Sequence, residues 1–391
     1  MKVLYFFISH AAEGFQSFNI HITEFLNCAN KLQDIRVIPG SPIVKSNREL
    51  GVELQFFHAF KNSIPRAVKD ILSILYNLKD LLRAIGKIRS VKPDIILFRA
   101  NHNNFYNVLL QKIFKIPLVL EVNSPETYER IKYKQVYFKK ISLLIEKWGW
   151  DNADAIYTVS ENQKNMIAGY GVPKEKIYAI HNGVNLELYN HRPSQNKKAS
   201  DKITCIYVGS FRNYHNLAAI INIFSSLYEK YDNIEIKIIG TGETFDKVKK
   251  LVESAGLSNA VFLPGYIQYE KIPQYLIQSD IAFMNDFTEY GSPIKVFEYM
   301  AAKTAILVPD RKSILEILEH GKDALFFKSG DMNDFKNKLE NLISKPDLRN
   351  FLADNAYGKV INNYTWDHNA QRVAGVLKKT LLNRSIKKPE K

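Results

Sequence analysis

The chain is poor in cysteine. Cys28 and Cys205 are the only two in 391 residues, far apart and without metal-ligand spacing. That excludes a disulfide framework and a cysteine-based zinc site, and it fits a reducing compartment. Long apolar runs are also missing, and no segment approaches the roughly 20 apolar residues of a membrane span. The start, Met1-Lys2 followed by Val3 to Ile8, superficially resembles a secretory leader. Its apolar run is short and Glu13 stands where hydrophobicity should continue, so it reads as a first strand. The expectation is a cytoplasmic protein, soluble or peripheral on the cytoplasmic face of a membrane. No paired carboxylates stand out as they would in a glycoside hydrolase.

Negative charge is in deficit: 40 acidic residues face 54 basic ones, a formal net charge of +14. Such a surface attracts a polyanion, whether anionic lipid, nucleic acid or a phosphorylated substrate. The aromatic platforms and recognition motifs of nucleic-acid binders are absent, so no nucleic-acid partner is expected. A 46% hydrophobic content suffices for two ordinary cores, and the length exceeds one average domain. Two stretches concentrate basic residues. Arg66 to Lys92 mixes them with apolar residues at helical spacing, which fits a helix packed on a sheet with a solvated basic face. An amphipathic surface toward anionic headgroups is the other reading. Tyr128 to Trp150 sets lysines beside tyrosines and tryptophans, a mixture suited to a membrane interface.

The most informative stretch is Asn285 to Ala302, N-D-F-T-E-Y-G-S-P-I-K-V-F-E-Y-M-A-A. The apolar run Ile281 to Met284 before it reads as a strand. Tyr290, Gly291, Ser292 and Pro293 make a turn, and Ile294 to Ala302 has helical periodicity. Ser292 is expected as N-cap with Pro293 at the first helical position. Free N–H groups and the positive dipole end there suit a phosphate. Glu298, further along the helix, could accept hydrogen bonds from hydroxyls. A pyrophosphate at the helix mouth and a ribose on Glu298 together describe a sugar nucleotide.

Other candidates follow strands, where doubly wound sheets bind ligands. Arg99 to Asn104, with His102, follows the strand Asp94 to Arg99. Asn123-Ser124-Pro125-Glu126 follows Leu118 to Val122. In the second half, Ile203 to Val208 leads into Gly209-Ser210-Phe211-Arg212-Asn213-Tyr214-His215, where fixed cations suit a diphosphate. Ile234 to Ile239 leads into Gly240-Thr241-Gly242. His21 reads as a helix-face residue.

The string G-S-P-I-K-V-F-E-Y-M-A-A resembles the donor motif of glycosyltransferase family 4, retaining enzymes of the GT-B fold. Asp154 to Glu161, the asparagine-glycine turn Asn182-Gly183 and Pro264-Gly265-Tyr266-Ile267 fall in the family's order. The resemblance implies an α/β chain of two Rossmann-like doubly wound domains facing across a cleft. Residues 1–190 would receive the acceptor, with the terminal helix 366–384 packing back on them, 191–202 would link, and 203–365 would bind the donor. Glu298 is assigned to the donor ribose, and Gly291, Ser292, Pro293 and Ile294 belong to the same donor site. Gly209, Gly240, Gly242, Tyr266 and Ile267 would line the nucleotide pocket, where backbone groups read the base.

The family usually carries two glutamates separated by seven residues; here the first position is Tyr290, with Glu289 one residue early. It often carries an arginine just after Gly209 and a lysine five residues later; here Ser210 and His215 stand there, as in a G-S-F-[KR]-x-W-H variant. Arg212 and Lys295 are then the expected phosphate cations. Asn123, where the family commonly has a histidine, is a catalytic candidate with those two cations, His215 and Tyr290 join the donor site, and Gly14, Arg99 and His102 are acceptor-side candidates. The implied chemistry is glycosyl transfer with retention, with a nucleotide-sugar donor, a glycan or lipid-linked acceptor, no cofactor and no obligatory metal. Two alternatives stand beside it: a binding or scaffold protein descended from such an enzyme, motivated by Tyr290 and Asn123, and a nucleic-acid-directed protein, motivated by the net charge of +14.

Overall fold

The computed structural model describes residues 1–7, 16–41, 64–190 and 202–386. The chain divides into two units, Met1–His181 with Asn369–Lys391, and Asn182–His368. Each is built on one six-stranded sheet in which every pairing is parallel. Gly14 and residues 191–201 of the expected linker lie outside the described residues.

The first sheet comprises β1 (Lys2–Phe6), β2 (Arg36–Pro39), β3 (Ile95–Arg99), β4 (Leu118–Val122), β5 (Ala155–Thr158) and β6 (Ile177–Ala179), in the order β2-β1-β3-β4-β5-β6. Helices such as Arg66–Val91 and Tyr106–Phe114 make the crossovers that parallel pairing demands. They cover both faces, which is why these strands are mostly apolar and do not alternate. Strand order turns around between β1 and β3, so the carboxyl ends of those two strands flank a natural ligand crevice.

The second sheet comprises β7 (Ile203–Val208), β8 (Ile234–Ile239), β9 (Val261–Gly265), β10 (Ile281–Phe283), β11 (Ala305–Pro309) and β12 (Leu325–Phe327), ordered β12-β11-β10-β7-β8-β9. Its turn-around point lies between β7 and β10. Side chains alternate between two cores as strand geometry requires. Tyr207, Phe283 and Leu307 enter one, while Ile206, Ala282 and Ile306 enter the other. The second core also takes Val296, Phe297, Tyr299 and Met300 of helix Ile294–Ala301. That helix, only eight residues long, is thereby held by packing far more than by propensity.

Two expectations need correction. The boundary at residue 190 moves to 181, because residues 182–190 pack with the second unit. The Val184 N–H donates to the Tyr364 carbonyl at 3.0 Å, and Tyr189 is buried in the second core. A Cβ on Gly183 would come within 2.5 Å of the Thr365 carbonyl carbon, so the chain crosses that backbone too closely for any other residue. The second correction concerns helix Arg66–Val91. Its basic residues other than Lys69 are exposed, but so is most of its apolar stripe, and Asp70, Asn77, Ala84 and Ile88 are its buried residues. Helix Trp366–Ile386 contributes to the first unit from Asn369 onward. Its Arg384 guanidinium lies 3.0 Å from Asp154 Oδ2 and its Lys378 pairs with Asp34.

Candidate active site

At the turn-around point of the second sheet, the loop after β7 meets helix Ile294–Ala301. Backbone closeness dictates the glycines. The N–H of Gly209 donates to the Ile239 carbonyl at 3.0 Å and that of Phe211 to the Thr241 carbonyl at 2.9 Å, so the loops after β7 and β8 zip together. A Cβ on Gly240, whose φ is +139°, would sit 1.9 Å from the Gly209 carbonyl oxygen. One on Gly242 (φ +154°) would sit 2.8 Å from Phe211 backbone atoms. The loop after β9 joins them, since the Gly240 N–H donates to the Gly265 carbonyl at 2.8 Å and Tyr266 and Ile267 follow directly.

Cations gather against this backbone. A Cβ on Gly209 would fall 2.3 Å from Lys295 Nζ, so the absent side chain leaves room for the ammonium. That ammonium lies 4.7 Å from the Tyr207 ring centre. Burial pulls the Lys295 pKa down to about 8, against the pull of Glu298. His215 is buried with Nδ1 2.6 Å from the Ser210 carbonyl and 3.0 Å from the Tyr207 hydroxyl. Burial, then the charges of Lys295 and Arg212, push its pKa to about 4, so its imidazole is neutral at pH 7. Arg212 is exposed at the edge of the group. The structure thus brings Arg212, His215 and Lys295 into one neighbourhood.

Glu298 is 5% exposed on the same helix, three residues beyond Lys295. Burial raises its pKa to about 7, while Lys295 and the Tyr269 hydroxyl pull the other way. A carboxyl held near neutrality in a low-dielectric pocket is a costly arrangement, and such groups concentrate at functional sites.

The turn before the helix differs from expectation. The helix begins at Ile294 with Pro293 as its cap residue, and Ser292 does not cap it. Proline there cannot be a side-chain cap, and the Ser292 hydroxyl instead accepts the Asn182 N–H at 3.1 Å while its carbonyl accepts Asn182 Nδ2 at 2.7 Å. Asn182, read from sequence only as a turn residue, therefore fixes the approach to the helix. Glu289 is held by the Arg311 guanidinium at 2.9 Å and the Lys312 N–H at 3.1 Å, with Asp286 also on Arg311. Tyr290 is buried. Gly291 again answers to closeness, because a Cβ would meet Phe287 at 2.7 Å.

In the first unit, the centre is a residue that sequence reading passed over. Glu121 on β4 is completely buried. It receives Arg99 at 2.8 Å, His21 Nε2 at 2.9 Å, Asn123 Nδ2 at 2.5 Å and the Tyr5 hydroxyl. Burial pushes its pKa up, but Arg99 and His21 outweigh that and hold it below the usual carboxylate range. Arg99 also stacks 4.4 Å over the Phe18 ring. The available signal was a lone acid inside the apolar run Leu118–Val122, since a charge there must have partners. His21 thus faces inward, with Arg99 and Asn123 around the same carboxylate. His102 lies apart from that carboxylate, its Nε2 4.0 Å from Asp70. Burial and then Arg130 lower its pKa to about 4, against Asp70. Among the described residues no group of three or more His, Cys, Asp and Glu is placed to hold a metal.

Comparison with known proteins fits this geometry. Residues 21–188 match the model of Glycosyltransferase Family 4, and residues 190–359 match that of Glycosyl transferases group 1. The chain belongs to the group 1 glycosyltransferases of family 4. Among the relatives of this glycosyltransferase is N,N'-diacetylbacillosaminyl-diphospho-undecaprenol alpha-1,3-N-acetylgalactosaminyltransferase of Campylobacter jejuni, 23% identical over 90% of this chain and 92% of that protein. The capsular polysaccharide biosynthesis glycosyltransferase CapM of Staphylococcus aureus is 22% identical over 81% and 84%. Anabaena HepE in complex with UDP superposes with a TM-score of 0.71 at 15% identity, covering 97% of this chain and all of that one. Sucrose-phosphate synthase of Thermosynechococcus elongatus reaches 0.74 at 13% identity over 98% and 99%. The fold is the two-domain α/β GT-B architecture, and the protein is a transferase enzyme.

Proposed function

We propose that this glycosyltransferase moves a sugar, with retention at the anomeric carbon, from a nucleotide-sugar donor to a glycan or lipid-linked acceptor. The setting is assembly of a cell-surface polysaccharide or glycolipid on the cytoplasmic side of a membrane. The observation that carries this reading is the pairing, on one helix of the second unit, of Lys295 beside the β7 loop with the buried carboxyl of Glu298. An ammonium for a diphosphate and a carboxyl for ribose hydroxyls are the two needs of a sugar nucleotide. The names of the Campylobacter and Staphylococcus relatives support the acceptor class, and the UDP in the Anabaena structure supports the donor class.

When the bond between anomeric carbon and phosphate oxygen breaks, its electron pair stays on the diphosphate. Arg212, Lys295 and the first N–H groups of helix Ile294–Ala301 would balance that growing charge, without an obligatory metal. The acceptor hydroxyl attacks from the face the diphosphate leaves and gives its proton to the departing oxygen. The glycines 209, 240 and 242, with Gly291, Tyr290, Tyr266 and Ile267, bound the donor. Asn123 and Arg99 belong to the acceptor side, where the β3 and β4 loops open.

The test is a panel of UDP-, GDP- and ADP-sugars screened for thermal stabilisation, since a specific ligand raises the melting point by mass action. The stabilising donor is then used with Arg212→Ala/Lys295→Ala, which should lose several kcal/mol of transition-state stabilisation, by analogy at about 3 kcal/mol per donor. A double variant within twofold of wild type removes both cations from the chemistry. Full activity in EDTA supports metal independence.

A further inference from the structure

Helix Arg66–Val91 carries an apolar stripe that the described residues of the first unit do not bury. Val68, Ile71, Leu75, Leu78 and Leu82 recur at alternating three- and four-residue steps, and each is between 42% and 72% exposed. The inward residues Asp70, Asn77, Ala84 and Ile88 mark a different face. Lys79, Arg83 and Lys87, four residues apart and all exposed, run alongside the stripe.

A second segment continues the surface. The Asp70 carboxylate accepts the backbone N–H groups of Tyr137 and Phe138, both at 2.9 Å, which anchors the start of helix Lys139–Asn152 against the stripe-bearing helix. There Tyr137, Ile141 and Leu144, again at helical steps, are 64%, 48% and 68% exposed. Lys139 and Lys140 beside them are exposed too.

Charge decides the occupant. Residues 66–91 hold six basic and two acidic residues, and residues 128–147 hold six and two again. These 46 residues therefore supply eight of the chain's fourteen net positive charges. A stripe at this spacing could also seat a second copy, but coiled-coil partners need complementary charges on the flanks. Two copies would set net positive flanks against each other. A bilayer with anionic headgroups satisfies both features, taking the apolar stripe to the acyl boundary and the lysines to the phosphates.

We propose that this face of the first unit docks on an anionic membrane, with the stripe Val68–Leu82 inserted and the flanking basic residues on the headgroups. The proposal deepens the transferase reading, on which it rests only for the reason to be at a membrane.

The test is flotation of the full chain with phosphatidylcholine vesicles made with or without phosphatidylglycerol. Wild type should bind only the anionic vesicles and be released by high salt. Leu75→Asp/Leu82→Asp, two exposed positions, should bind roughly a hundredfold more weakly. Lys139→Glu/Lys140→Glu should lose at least about 25-fold, at about fivefold per basic residue removed. Melting temperature shows whether each variant is folded, and if the leucine pair unfolds the lysine pair decides. Absence of wild-type binding to anionic vesicles, unchanged binding by a folded variant, or a wild-type dimer that Leu75→Asp/Leu82→Asp makes monomeric overturns the docking. Donor-induced stabilisation is read on the same samples. Donor binding without vesicle binding sinks the docking alone, and vesicle binding without any donor sinks the transferase reading alone.

Discussion

Glu298→Gln tests the central site directly, because it removes the ionisable group while keeping its shape. In the folded chain burial lifts this carboxyl to about 7 from the usual 4.5. A raised folded-state pKa means that the native state binds more protons than the unfolded chain between those two values. Its stabilising contribution is therefore fully present below pH 4.5 and is lost as pH rises through 7. The whole loss is on the order of 3 kcal/mol. Glutamine cannot titrate, so the variant lacks this loss. Three histidines titrate in the same range with the opposite slope, the buried His215 and the partly buried His102 and His181 all being lowered to about 4 by desolvation. The informative quantity is therefore the melting temperature of the variant minus that of wild type, in which their contributions cancel.

At 2–4 °C per kcal/mol for a unit of this size, that difference should grow by roughly 6–12 °C between pH 4.5 and 8. Scanning calorimetry without nucleotide reads it. A pH-independent difference would refute the desolvated carboxyl on which the donor site is built. The same variant should bind the stabilising nucleotide sugar about fivefold to tenfold more weakly, since hydrogen bonds to a charged acceptor exceed neutral ones by about 1 kcal/mol. Stabilisation with undiminished donor affinity would leave Glu298 as a buried acid with no part in recognition.

Lys295, held at about 8 by burial, must be charged to meet a diphosphate. Donor affinity measured by calorimetry should fall about tenfold per pH unit above 8, and a flat profile to pH 9.5 would show that another group carries the contact. Gly240→Ala places a methyl 1.9 Å from the Gly209 carbonyl at a φ of +139°. It should destabilise the second unit by about 3 kcal/mol or more in urea unfolding, and a loss under 1 kcal/mol would mean the loops after β7 and β8 are not zipped. Glu121→Ala strips the counter-charge from Arg99, whose side chain is 11% exposed. The cost should be about 3–5 kcal/mol, read as a lower urea midpoint, and a variant as stable as wild type would dissolve the network.

Much of the architecture was legible because its signals are local. Strands such as Leu118–Val122, Ile203–Val208 and Ile234–Ile239 are mainly apolar, β-branched-rich segments that end at asparagine or glycine, and the observed strands have those same bounds. Buried parallel strands must read this way, since helices cover both faces. What sequence could not carry was the long-range part. Ser292 looked like a cap because serine before proline is a good helix start, but Asn182, 110 residues away, takes both its hydroxyl and its carbonyl. A competing tertiary partner is invisible to a local rule.

The same limit explains the rest of the site. Gly240 and Gly242 read from sequence only as glycines after a strand, yet the loop after β7 approaches so closely that only glycine fits. The requirement belongs to a contact between strands thirty residues apart in the chain and adjacent in the sheet. Glu121 went unread for the opposite reason. A single acid in an apolar run resembles an imperfection until Arg99, His21, Asn123 and Tyr5, from four other places in the chain, close around it. Helix Arg66–Val91 misled because periodicity reports that a stripe exists and not whether the fold has anything to put against it. Here the inward face is partly polar, through Asp70 and Asn77. The apolar residues therefore point where none of the described residues covers them, and their occupant has to be sought in the charges around them.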